Sequence, residues 1–134
     1  MDILAHLPHR APLLLVDRLL EREPGLRVVA EKLVTAGEPY LQDHPAGRAQ
    51  VPGPLLLEML AQAGGFLEAG ALHGASIFLA GVRDVRFHAP AFPGDRLRLE
   101  VAADGAFAGL MRLQGTASCE GRDLCTATLL VKRL

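Results

Sequence analysis

The stretch Val51-Pro52-Gly53-Pro54-Leu55-Leu56-Leu57-Glu58-Met59-Leu60-Ala61-Gln62-Ala63-Gly64-Gly65 decides how this chain folds. Pro54 follows an extended run and suits the first turn of a helix, where a missing N–H costs no hydrogen bond. From Leu55 to Ala63 the residues are good helix formers, and their apolar side chains fall on every side of the helix. A helix that is apolar all round is a buried helix. Gly64, Gly65 and Gly70 then lower the propensity and leave room for another element to pack close. The longest apolar-rich segment, Pro54–Leu72, is interrupted by Glu58, Gln62 and Glu68, so it reads as a core helix and not as a membrane span.

On both sides of this helix the pattern changes to that of strands. Leu97-Arg98-Leu99-Glu100-Val101 alternates with period two, and Phe107, Gly109, Met111 and Leu113 read as one face of a further strand. Leu26–Thr35, Ile77–Phe87 and Leu124–Lys132 are β-compatible runs. Turn signals stand at Glu23-Pro24-Gly25, Phe92-Pro93-Gly94-Asp95, Ala103-Asp104-Gly105 and Glu120-Gly121-Arg122. Neither an internal repeat nor a low-complexity tract divides the chain. The expectation is a single α+β domain over residues 1–134, with one long buried helix wrapped by a curved antiparallel sheet of roughly five or six strands. Such a sheet covers part of the helix, and a second subunit is expected to cover the rest.

Composition narrows the function. With half of 134 residues apolar and 22% charged, the chain can bury a core without metals or disulfides. A formal charge of −1 gives no general attraction to nucleic acid or to acidic membranes, so an anionic partner must be met by a local patch. Of the 14 basic residues only Lys32 and Lys132 are lysine. Cys119 and Cys125 make neither a disulfide framework nor a CxxC pair; read as one strand, alternation puts them on the same face as small buried hydrophobes in a reducing compartment. Met1–Arg10 lacks the basic start and apolar run of a signal peptide, which predicts a cytoplasmic protein. His6, His9, His44 and His73 show no metal-ligand spacing, so no metal is expected.

Glu58 is the most informative residue. A lone carboxylate among Leu55, Leu57, Met59, Leu60 and Ala61 costs several kcal/mol unless it is paired or protonated. Gln62, one turn later, lies on the same face and can hydrogen-bond to it. His44 precedes the helix in the turn-rich loop Gln42-Asp43-His44-Pro45-Ala46-Gly47, fourteen positions before Glu58. A histidine that accepts a proton near neutral pH and a desolvated carboxyl that releases one suit proton abstraction beside a carbonyl with loss of water. Gly53 adds a backbone N–H at the helix start, where the helix dipole helps it to polarise a carbonyl oxygen.

Three blocks of the chain resemble one family. Leu7-Pro8-His9-Arg10-Ala11-Pro12-Leu13-Leu14-Leu15-Val16-Asp17-Arg18, then His44 through Gly47 and Val51-Pro52-Gly53 to Leu57–Gly65, and last Arg86-Phe87-His88-Ala89-Pro90-Ala91-Phe92-Pro93-Gly94-Asp95 are similar to the β-hydroxyacyl-acyl-carrier-protein dehydratases of fatty-acid synthesis. Glu at position 58 resembles the general branch, which includes (3R)-hydroxymyristoyl-acyl-carrier-protein dehydratases, and not the isomerising branch, which carries Asp. The resemblance implies a hot-dog fold, His44 and Glu58 as catalytic residues, the Gly53 N–H on the thioester carbonyl, and Gln62 as a supporting residue in the substrate site. It implies a homodimer with a shared active site, histidine from one subunit and acid from the other, and further assembly to hexamers. The substrate then arrives on the phosphopantetheine of acyl carrier protein, with no dissociable cofactor.

Departures from the family pattern bear on that expectation. The family's His-Phe-Pro-Gly is His44-Pro45-Ala46-Gly47 here, which moves proline beside the histidine and drives His44 toward extended backbone. Pro54 leaves Gly53 as the donor at the helix start. His88-Ala89 replaces a second basic residue after Arg86-Phe87 and thins the patch for acidic carrier protein, for which Arg83, Arg86 and Arg96 are the candidates, with Arg98 beside them. Asp17 and Arg18 are expected to fix structure. Two other readings stay open: a hot-dog thioesterase whose helix carboxylate activates water, and a weakly active or non-catalytic protein that binds acyl chains or carrier protein.

Overall fold

The computed structural model describes residues 14–41, 49–67 and 77–133. Six strands and one α-helix follow in the order β1 (Arg18–Glu23), β2 (Arg27–Leu33), α1 (Gly53–Gly64), β3 (Ile77–Phe87), β4 (Arg96–Phe107), β5 (Leu110–Cys119) and β6 (Arg122–Arg133). The strands form one sheet in the order β1-β2-β4-β5-β6-β3, and every neighbouring pair is antiparallel. β3 is therefore an edge strand whose partner, β6, is the last strand in sequence.

Turn chemistry sets these boundaries. Ala108-Gly109 joins β4 to β5 and Glu120-Gly121 joins β5 to β6, each with both residues at positive φ, the left-handed two-residue turn that matches strand twist. Three sequence expectations change as a result. Phe107 ends β4 while Met111 and Leu113 belong to β5, because the apolar alternation runs on through the turn. Cys119 and Cys125 lie on adjacent strands, and both are buried and free. Ala103-Asp104-Gly105 is a bulge inside β4, where the register shifts between Ala103 and Ala106 and Gly105 takes φ +104°.

α1 lies against the inner face of the sheet. Leu56, Met59, Leu60 and Ala63 pack into a core with Val28 and Ala30 of β2, Leu97, Leu99 and Val101 of β4, Leu113 and Ala117 of β5, and Leu129 and Val131 of β6. The small residues permit close approach. A Cβ on Gly64 would stand 3.0 Å from Leu113 Cδ1, and one on Gly115 would stand 3.2 Å from Leu60 Cδ1. Beyond the helix, a 3-10 turn covers Gly65–Leu67, and the β1–β2 hairpin satisfies its carbonyls: Arg22 Nε donates to Phe66 O at 2.6 Å and Gly25 N to Leu67 O at 2.8 Å. A cation at a helix C-terminus also meets the negative end of the dipole.

The helix is not enclosed on every side of a single chain. Pro54 is exposed, and Leu57, Glu58 and Ala61 are half-buried; the spacing places all four on one stripe. The edge strand β3 is apolar as well: Leu79, Val82 and Phe87 are exposed to 37%, 41% and 53%. Its ladder is interrupted by shifts at Leu79/Gly81 and Arg83/Arg86, the second containing Asp84 at φ +50°.

Candidate active site

Glu58 lies on the open stripe, and its carboxylate is held by the next turn of the helix. Gln62 Nε2 donates to Glu58 Oε1 at 3.1 Å. Gln62 itself is 1% exposed, and its Oε1 accepts the Leu15 N–H at 2.8 Å. With the carbonyl end fixed in this way, the amide end of Gln62 must face Glu58. The segment that supplies Leu15 is anchored in turn by Asp17, whose N–H donates to Glu31 O at 2.9 Å and whose Oδ2 accepts Leu33 N–H at 2.7 Å. Asp17 thus fixes structure, and Arg18 pairs with Glu31 at 3.3 Å.

A second charged cluster lies at the end of β2. Lys32, 5% exposed, continues the inward-facing series Val28, Ala30, and its ammonium pairs with Asp17 at 3.6 Å and with Glu38. This cluster joins the Leu14–Asp17 segment, β2 and the turn that precedes Pro39–Leu41. Close by, the Tyr40 hydroxyl is buried without a hydrogen-bond partner among the described residues, and burial together with Glu38 and Asp17 pushes its pKa above the usual tyrosine value.

Gly53 begins α1 with no side-chain cap, Pro52 in extended conformation before it and Pro54 after it. Leu55 N–H is taken by Pro52 O at 2.9 Å, whereas no backbone carbonyl among the described residues accepts the Gly53 N–H. The ring of Phe87 covers this residue: a Cβ on Gly53 would fall 2.9 Å from Cε1 and 3.0 Å from Cζ. The start of the helix is tied to the same region through Val51 N–H on Ala91 O at 2.9 Å.

The other candidates are dispersed. Arg83 and Arg86 are exposed on β3, the strand that ends in Phe87. Arg96 lies on β4 and is engaged by Glu31 at 3.0 Å; Arg98 is 3.7 Å from Glu100. His88 Nε2 stands 3.0 Å from Thr126 Oγ1. His44 lies outside the described residues, as do His6, His9, Arg10 and His73. Among the described residues no group of His, Cys, Asp and Glu could hold a metal ion. The sequence assigns no individual role to Leu15, Lys32 or Phe87. Of these, only Lys32 leaves a local trace, a cation where the β2 alternation requires an apolar residue.

One helix seated on a six-stranded antiparallel sheet, with a carboxylate on its open side, defines a protein of the hot-dog class. The chain belongs to the FabA-like family, whose FabA-like domain model matches residues 7–128. It is 47% identical over 131 residues to the 3-hydroxyacyl-acyl-carrier-protein dehydratase FabZ of Roseiflexus sp., covering 96% of this chain and 92% of that one. It is 41% identical over 136 residues to the dehydratase of the same name from Klebsiella pneumoniae, covering 98% and 90%. Among solved structures, the dehydratase heterocomplex ApeI:P of Xenorhabdus doucetiae superposes with TM-score 0.83 over 100% of this chain and 91% of that one; at 23% identity this is a likeness of fold.

Proposed function

We propose that the chain is a hydro-lyase of fatty-acid synthesis that converts (3R)-3-hydroxyacyl-acyl carrier protein to the trans-2-enoyl thioester. The observation that carries this reading is the 47% identity to a 3-hydroxyacyl-acyl-carrier-protein dehydratase over 96% of the chain. In the reaction, His44 takes the proton α to the thioester, and the Gly53 N–H receives the charge that develops on the carbonyl oxygen. Glu58, aligned by Gln62, protonates the departing hydroxyl, and the C–O bond breaks to release water. No dissociable cofactor or metal takes part, because the substrate brings its own thioester on phosphopantetheine.

The open stripe of α1 and the apolar edge β3 support a homodimer in which a second copy covers Glu58 and delivers the partner histidine. Assembly of such dimers into hexamers would leave this site unchanged. Acyl carrier protein is the partner, and Arg83 and Arg86 on β3 are its docking candidates; Arg96, committed to Glu31, contributes less. Among the described residues no helix is long and apolar enough to cross a membrane; the cytoplasm is the proposed location because the dehydratase reading makes acyl carrier protein the partner.

The test is turnover of a short 3-hydroxyacyl thioester by the purified protein, followed by enoyl-thioester absorbance and, in parallel, by thiol release. Enoyl formation is expected, with kcat lowered about 10²- to 10⁴-fold in His44→Ala and Glu58→Gln. Thiol release without enoyl formation would establish a thioesterase, and binding without turnover a non-catalytic acyl- or carrier-binding protein.

A further inference from the structure

We propose that Phe87 is a positioning residue for the thioester carbonyl: its ring walls the Cα side of Gly53 and keeps water from the N–H that receives the oxygen. The proposal rests on the dehydratase reading above. Its geometric basis is the closeness of the ring, three atoms of which would stand 2.9, 3.0 and 3.2 Å from a Cβ on Gly53. The ring thus occupies the space that any side chain at position 53 would need. Glycine is required there by an aromatic neighbour, and not only by an approaching ligand.

Backbone contacts fix the segment that carries the ring relative to the start of α1. Phe87 is paired with Cys125 at the end of β3, His88 N–H donates to Leu124 O at 2.8 Å, and Val51 N–H donates to Ala91 O at 2.9 Å. The segment after β3 therefore holds both β6 and the start of α1. Neither a side-chain cap nor a backbone carbonyl among the described residues takes the Gly53 N–H, and Pro54 has none to offer. Yet Phe87 remains 53% exposed, so one edge of the ring meets Gly53 while the rest is open.

An apolar ring at this place lowers the local dielectric around a single donor. A hydrogen bond to developing negative charge strengthens when water is excluded, whereas a neutral ground-state carbonyl gains little. The benefit therefore falls on the transition state and is read in kcat, with KM nearly constant. A ring that merely lined an acyl pocket would act on KM instead.

The experiment compares Phe87→Ala, Phe87→Tyr, Gly53→Ala and the double variant Gly53→Ala/Phe87→Ala with the parent, using a short 3-hydroxyacyl thioester and thermal melts. Phe87→Ala should lower kcat about 10- to 100-fold, less than loss of a whole oxyanion donor, with KM changed less than about threefold. Phe87→Tyr, which keeps the ring, should recover most of that loss. Gly53→Ala should lower Tm, and adding Phe87→Ala should restore it by removing the clash. If the parent turns over and Phe87→Ala keeps its kcat, or changes KM alone, the role of Phe87 is overturned while the dehydratase reading stands. If the parent does not turn over, both fall. Failure of the double variant to regain Tm would overturn the ring contact itself.

Discussion

At the scale of single residues, Gln62 has no freedom to turn over. Leu15 N–H occupies its Oε1, so the amide NH₂ is committed to Glu58, and one hydrogen-bonding unit spans the 47 positions from Leu15 to Gln62. Gln62→Leu keeps the volume but leaves the Leu15 N–H buried without a partner, which should cost about 1–3 kcal/mol in urea unfolding. The same change frees the Glu58 carboxylate to rotate and should lower kcat more than it changes KM. Unchanged stability and kcat would refute the link. Burial also acts on Cys125, whose thiol is pushed from 9.0 up to about 11. The unfolded chain loses that proton from about pH 9 and the folded chain only near 11, so stability is whole below pH 9 and declines between the two. Urea midpoints measured from pH 8 to 11 should fall less steeply in Cys125→Ala than in the parent.

At the scale of elements, the two-residue turns carry residues poorly suited to them. Glu120 takes φ +51° at the first position of the β5–β6 turn, a left-handed conformation that costs a side-chain-bearing residue about 1–2 kcal/mol and that asparagine tolerates better. Glu120→Asn should therefore raise stability by about 0.5–1 kcal/mol, read as a higher urea midpoint with the same slope. The same mismatch explains where the sequence misled. Alternation runs unbroken from Phe107 to Leu113 because neither Ala108 nor Gly109 interrupts it with charge or proline, so the hairpin reads as one strand. The helix was legible because Pro54, nine helix formers and the glycine pair all agree, and Glu58–Gln62 was legible as neighbours one turn apart. Leu15 on Gln62 and Phe87 on Gly53 were not, since these contacts join segments 47 and 34 positions apart through sheet order, which local periodicity does not encode. The helix is apolar all round in sequence yet has an open stripe at Pro54, Leu57, Glu58 and Ala61, because composition alone does not say which helix face meets the sheet.

At the scale of the whole molecule, the helix stripe and the exposed side chains of β3 are apolar surface left open, and Phe87 beside Gly53 links the two elements at one end. Val82, 41% exposed on β3, is a position where a charge should weaken association without entering the core. Val82→Asp should sediment as a monomer with an unaltered circular dichroism spectrum and should lose activity with its dimer; a parent protein that already sediments as a monomer would refute the dimer. The sheet order also constrains the sequence of events at the ribosome. β3 leaves the exit tunnel before β4, β5 and β6, yet among the described residues its one strand neighbour in the sheet is β6. Until residues 122–133 have been made, the strand that carries Leu79, Val82 and Phe87 has no template to join, and an apolar segment waits through the synthesis of three others. The strand that faces the outside in the finished chain thus stays without a strand partner until the chain is nearly complete.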